Sequence, residues 1–130
     1  MKHIIEQYFK AFNDQNYKGM MDLLDPEIEH DINQGQTQVG LEAFDKFLKH
    51  MDECYLEKLE NIVVMDSGNG QNASAEFIVN GKYLKTDSGL PPARGQTYKI
   101  RAGSFFEFRN NKIKRVTTYY NLPLWIDLVK

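Results

Sequence analysis

Residues 26–41 read Pro26-Glu27-Ile28-Glu29-His30-Asp31-Ile32-Asn33-Gln34-Gly35-Gln36-Thr37-Gln38-Val39-Gly40-Leu41. This stretch divides a helical N-terminal third from a β-rich remainder. It carries the chain's single adjacent His-Asp pair and is broken by Gly35 and Gly40. Alternation over Ile28–Asn33 predicts a short strand, with Ile28, His30 and Ile32 on one face and Glu29, Asp31 and Asn33 on the other. His30 and Asp31 then face opposite sides unless a bulge intervenes.

Upstream, Ile4, Ile5, Tyr8, Phe9 and Phe12 form a helical stripe over residues 2–13, with Glu6, Gln7, Lys10 and Asn13 on the wet face. Asn13-Asp14-Gln15-Asn16 is a polar break, and Asn16 suits the cap of a second helix built on Tyr17, Met20, Met21 and Leu24. Asp25-Pro26 is expected to stop that helix, because proline disfavours helical backbone in the residue before it.

Downstream of the glycines, Leu41, Phe44, Phe47, Leu48 and Met51 recur at helical spacing, which predicts a third helix to about Glu53. The rest reads as β. An apolar-rich run over Tyr55–Asp66 ends in Ser67-Gly68-Asn69-Gly70, a hairpin signal. Asn72–Leu84 places Ala73, Ala75, Phe77, Val79, Gly81 and Tyr83 on one face. Lys85–Gly95 holds two prolines and two glycines and reads as a loop. Gln96–Phe108 places Tyr98, Ile100, Ala102, Ser104, Phe106 and Phe108 on one face. Arg109-Asn110-Asn111 turns the chain, and Ile113–Asn121 returns. Leu122-Pro123 opens a last amphipathic helix with Trp125, Leu128 and Val129. Helices segregated from a mostly antiparallel sheet make an α+β domain. Strands of about 10–13 residues exceed the usual ~5–6 and suggest a curved sheet.

The chain's 130 residues fit one domain with a real core. A net charge of −2 and the lack of a basic run leave no nucleic-acid or anionic-membrane partner to expect. With one cysteine, Cys54, no intrachain disulfide is possible, and the residue reads as a small apolar core side chain rather than a nucleophile. His3, His30 and His50 lack metal-ligand spacing, so no metal is expected. The early Glu6 and the lack of a long apolar run argue against a signal peptide or membrane span, so a cytoplasmic location is expected.

His30-Asp31 with Gly40 nine residues after the aspartate, the hairpin Phe105–Ile113 and the ending Tyr119-Tyr120-Asn121 resemble the nuclear transport factor 2-like superfamily. That group includes ketosteroid isomerases, scytalone dehydratase and SnoaL-type polyketide cyclases. Residues 30–35 and 89–96 resemble its SnoaL-like, ketosteroid-isomerase-related bacterial members more narrowly. The resemblance covers the whole chain. It implies a cone-shaped, curved antiparallel sheet wrapped around the N-terminal helices, the cystatin-like roll. It also implies a homodimer through the open sheet face, which would hide apolar surface.

Ketosteroid isomerases use an aspartate base with a tyrosine and a protonated aspartate as oxyanion hole. By resemblance Asp31 matches the base, and Tyr8 is the nearest match to the tyrosine. Ser104 stands where the protonated aspartate belongs and is a weaker donor, and Tyr120 matches a pocket aromatic. This implies a cofactor-independent isomerase, cyclase or lyase acting on a small hydrophobic carbonyl compound. The alternative is a module of the same fold that binds a hydrophobic ligand without turnover.

As a base, Asp31 needs an apolar pocket that raises its pKa; otherwise it is a turn residue bonded to nearby amides. His30 is the other candidate for acid–base work, or it orients Asp31, or it is a hydrogen-bonded structural histidine. Ser104 is a hydroxyl donor or a small packing residue. Phe12, Phe44, Phe47, Phe77, Tyr83, Tyr98, Phe106, Tyr120 and Trp125 supply the apolar lining, and all would also serve as core. Arg94, in the 85–96 loop, is placed to clamp a carboxylate or enolate, or is a solvated loop residue. Arg101 is expected on the outer face of the sheet.

Overall fold

Helix α1 (Lys2–Asn13) buries Ile4, Ile5, Tyr8, Phe9 and Ala11, while Phe12 is only partly covered. The structure, a computed structural model, describes residues 1–33 and 35–130; Gln34, inside the stretch quoted above, lies outside the described residues. Asn13, placed on the wet face by its spacing, instead docks the helix. Its amide donates to the Leu59 carbonyl at 3.0 Å and its oxygen accepts from the Leu59 N–H at 2.8 Å. Helix α2 (Tyr17–Met21) is capped by Asn16, whose side chain accepts from the Gly19 N–H, as its sequence suggests.

Strand β1 (Leu24–Asp31) starts four residues earlier than alternation predicts. Pro26 does not stand between helix and strand; it sits inside the strand. Its missing N–H is tolerated because the β1 pairing register is irregular between Leu24 and Glu29, where Pro26 falls. The glycine-broken segment contains one unforeseen element, the short β2 (Thr37–Val39), which pairs antiparallel with β1 and sets Asp31 opposite Thr37. Helix α3 (Leu41–Cys54) ends one residue beyond its expected limit.

Four long strands follow: β3 (Tyr55–Asp66), β4 (Asn72–Tyr83), β5 (Thr97–Arg109) and β6 (Lys112–Tyr120). The β5–β6 turn holds Asn110 and Asn111 at φ of 53° and 61°, the left-handed pair that a two-residue hairpin demands. Helix α4 (Leu122–Val129), capped by Asn121, closes the chain. The sheet order is β2-β1-β6-β5-β4-β3, antiparallel throughout except for the parallel β1–β6 pair. The sheet is curved and unclosed, and a register shift between Glu60 and Val63, around Asn61 at φ 54°, bends β3.

The inner faces of β4 and β5 are the ones their alternation predicts. Ala73, Ala75, Phe77, Val79 and Tyr83 are buried, as are Tyr98, Ile100, Ala102, Ser104, Phe106 and Phe108. Arg101 lies on the outer face beside Glu76, as expected. The same face exposes Val63, Met65, Phe105 and Tyr119 on neighbouring strands. None of the described helices is long and apolar enough to cross a membrane.

Candidate active site

The helices do not fill the concave side of the sheet. They leave a cavity of about 940 Å³. Residues of all six strands meet side chains of all four helices there, and the wall is mostly aromatic and aliphatic. Of the sequence-predicted lining, Phe12, Phe44, Phe47, Phe77, Tyr98, Tyr120 and Trp125 border this space. Three candidates do not. Tyr83 and Phe106 are fully buried in the core. Arg94 is turned away: its guanidinium donates to the carbonyls of Val129 at 3.3 Å and Lys130 at 2.7 Å. It pins α4 to the loop and clamps no ligand, because the chain's own C-terminal carbonyls take its donors.

His30 and Asp31 part company as alternation requires. His30 points inward between Phe44 and Phe47, with ring centroids 5.0 and 4.4 Å away. Its Nδ1 is buried and has no hydrogen-bond partner among the described residues. Removal from water disfavours the imidazolium and lowers the His30 pKa from 6.5 to about 4, against a smaller upward pull from the Asp31 charge. His30 is therefore neutral at pH 7.

Asp31, at the edge of the cavity, directs its carboxylate into a polar network. Thr117 and Thr37 hydroxyls each donate to it at 2.6 Å, and Arg115 donates at 2.9 Å. Arg115 is held in turn by Glu107. The two hydroxyls, then the guanidinium, outweigh desolvation and drop the Asp31 pKa from 3.8 to about 2. The raised pKa that a poised base needs is the opposite of what Asp31 has, because its surroundings stabilise the carboxylate.

Tyr8 and Ser104 both border the cavity. The Tyr8 phenol makes no hydrogen bond among the described residues, and burial pushes its pKa up, so it stays a proton donor. Ser104 Oγ lies 2.8 Å from Thr118 Oγ1 on the adjacent strand, forming a hydroxyl pair in an apolar wall.

The sequence reading missed Glu57. Its carboxyl faces the cavity and accepts a 2.5 Å hydrogen bond from the Tyr98 hydroxyl. Burial raises its pKa, and the Tyr98 bond offsets only part of that rise. The residue is partly buried and borders the cavity. Tyr98 reaches this position because Gly81, its cross-strand partner, has no side chain: a Cβ there would strike the Tyr98 ring. The signal was present in β3, where Glu57 shares the inward face with Tyr55 and Leu59. The site thus holds a carboxyl and an imidazole whose surroundings push their pKa values in opposite directions, a pattern associated with acid–base chemistry.

A SnoaL-like domain model matches residues 5–116. The chain belongs to the SnoaL-like domain family. Solved structures of high similarity cover nearly all of it. One from Silicibacter sp., proposed to be a polyketide cyclase, is 47% identical with a TM-score of 0.97, covering 98% of this chain and 93% of that one. Another from Pseudomonas putida, with the same proposed activity, is 46% identical with a TM-score of 0.96 over 98% and 96% of the two chains. A nuclear transport factor 2-like protein from Burkholderia xenovorans shares the fold at 16% identity, with a TM-score of 0.77 over 98% and 94%. Among curated proteins, none matches. The superfamily resemblance read from the sequence agrees with these matches, and a SnoaL-like chain with this cavity suits an isomerase- or cyclase-type role.

Proposed function

We propose that this SnoaL-like protein is a cofactor-independent proton-transfer enzyme acting on a small hydrophobic carbonyl compound, with His30 as the group that moves the proton. The reading rests chiefly on one observation: a neutral histidine with an unpartnered ring nitrogen in an apolar cavity. His30 takes a proton from the carbon next to the carbonyl. Tyr8 and the Ser104–Thr118 pair donate to the enolate oxygen, where charge develops. The imidazolium that forms is favoured by the enolate and by the neighbouring Asp31 charge. Proton return at a second position completes an isomerisation; attack of the enolate carbon on a second carbonyl closes a ring. Glu57, whose pKa burial raises, supplies a proton to the second carbonyl, and the proton held by His30 restores it through solvent. The activity proposed for the similar Silicibacter and Pseudomonas proteins supports polyketide-like substrates, whose 1,3-dicarbonyl units carry an acidic C–H.

Asp31, the base implied by resemblance, becomes a positioning residue that holds β1 and biases His30 electrostatically. The test is deuterium exchange at the α-carbon of hydrophobic ketones and β-keto esters. His30→Gln is expected to abolish exchange and Asp31→Asn to slow it while leaving it measurable. Undiminished exchange in His30→Gln, or complete loss in a folded Asp31→Asn, returns the base role to Asp31. The outer-face residues Val63, Met65, Phe105 and Tyr119 are proposed to seat a homodimer. Phe105→Asp should then shift the mass in light scattering from dimer to monomer, and an unchanged mass rejects that surface.

A further inference from the structure

Three side chains outside the proton-transfer set converge beside the cavity, which His50 and Asp87 border while Cys54 is buried behind them. His50 and Cys54 are one turn apart on α3, so both project from one face. Asp87 reaches them from the loop after β4. His50 Nε2 lies 2.9 Å from Asp87 Oδ1 and 4.0 Å from Cys54 Sγ, and all three donor atoms fall within 4.8 Å of one another.

The geometry points to a site for a divalent transition-metal ion of the zinc type, ligated by His50 Nε2, Cys54 Sγ and Asp87 Oδ1. A Cys-His-Asp catalytic triad is excluded because thiol and carboxylate approach the same ring nitrogen, whereas a relay needs one on each. Tetrahedral zinc bonds of ~2.0–2.3 Å place ligand atoms about 3.3–3.6 Å apart. About His50 Nε2 the changes are a few tenths of an ångström, outward to Asp87 Oδ1 and inward to Cys54 Sγ, and the Oδ1–Sγ pair, within 4.8 Å, closes by up to about 1.2 Å. A nitrogen, a thiolate and a carboxylate form a borderline donor set that suits zinc better than calcium or magnesium.

The surroundings are built for ligation. Tyr55 OH donates to Asp87 Oδ2 at 2.7 Å, which leaves Oδ1 aimed at His50. The Asp87 N–H donates to Tyr83 OH at 2.9 Å, and Tyr83 OH donates to the Pro91 carbonyl, so the loop is held on both sides of the aspartate. The Cys54 carbonyl accepts from Leu84 N–H at 2.8 Å and joins the same loop to the end of α3. Asp87 has no Lys or Arg partner among the described residues, since nearby Lys85 pairs with Glu53. Carboxylate ligands held by outer hydrogen bonds are the usual design of such centres. On binding, the Cys54 thiol proton leaves to solvent and the imidazole keeps its remaining proton on Nδ1.

Cobalt(II) titration of the metal-free protein tests this without any assay of turnover, so its outcome is independent of the proton-transfer reading. The expected result is one equivalent bound, with a thiolate-to-cobalt charge-transfer band in the near ultraviolet that zinc displaces. Cys54→Ser should abolish the band, and the exposed His50→Ala should weaken zinc binding by about tenfold or more. Tyr55→Phe should keep the band and weaken binding by about 10- to 100-fold. No charge-transfer band in the wild type overturns the proposal. So does a zinc affinity unchanged in His50→Ala, the signature of adventitious surface binding.

Discussion

Replacing Asp31 with asparagine separates a structural charge from a catalytic one. Asparagine preserves shape and still accepts from Thr37 or Thr117, but it removes the charge that Arg115 faces at 2.9 Å. A carboxyl carried from its ordinary 3.8 to about 2 on folding stabilises the fold by about 2 kcal/mol at neutral pH. The side chain is 29% exposed, so screening reduces the expected loss to about 1–2 kcal/mol. The sign follows from the depressed pKa. The contribution is complete above about pH 4 and disappears as pH falls towards 2. Urea melts of both proteins at pH 7, 5 and 3 should show a constant gap at the upper two values and a narrower one at pH 3. A gap that is absent at pH 7, or that persists undiminished at pH 3, refutes the account of Asp31 as a charge stabilised by its network.

His30, with its pKa lowered to about 4, destabilises the fold as pH falls from 6.5 towards 4, because the unfolded chain binds the proton first. His30→Phe should flatten that part of the stability curve, and a ring protonated above pH 6 by nitrogen-15 NMR contradicts the burial argument. Glu57 has the opposite linkage: its raised pKa costs stability as pH rises above 4.5. Glu57→Gln should therefore gain on the wild type as pH rises above 4.5, and parallel stability curves would count against a raised pKa. Gly81→Ala drives a Cβ into the Tyr98 ring and should cost about 1–3 kcal/mol. It should also raise the Glu57 pKa further in a carboxyl infrared titration, as the Tyr98 bond is lost; an unmoved carboxyl band would show that Tyr98 does not hold Glu57.

The order of elements was legible because each long strand alternates cleanly and each helix repeats its apolar residues at helical spacing. The opposite facing of His30 and Asp31 followed from that alternation alone. Pro26 misled at the start of β1, since its local preference was overridden by an irregular pairing that needs no N–H there. β2 escaped notice because its three residues are all exposed and only a neighbouring strand gives them a ladder.

By itself, then, the sequence determined the fold class, the inner face of each strand and the supply of aromatic lining, all of which depend on residues near one another in the chain. Tertiary structure alone decided the surroundings of each candidate group. The Asp31 carboxylate is stabilised by Thr117 and Arg115, 86 and 84 residues away. Burial raises the Glu57 pKa, and Arg94 is turned to the Val129 and Lys130 carbonyls. His50 and Asp87 meet although 37 residues separate them. A pKa or a ligand set depends on what lies within a few ångströms in space, and linear spacing does not encode that.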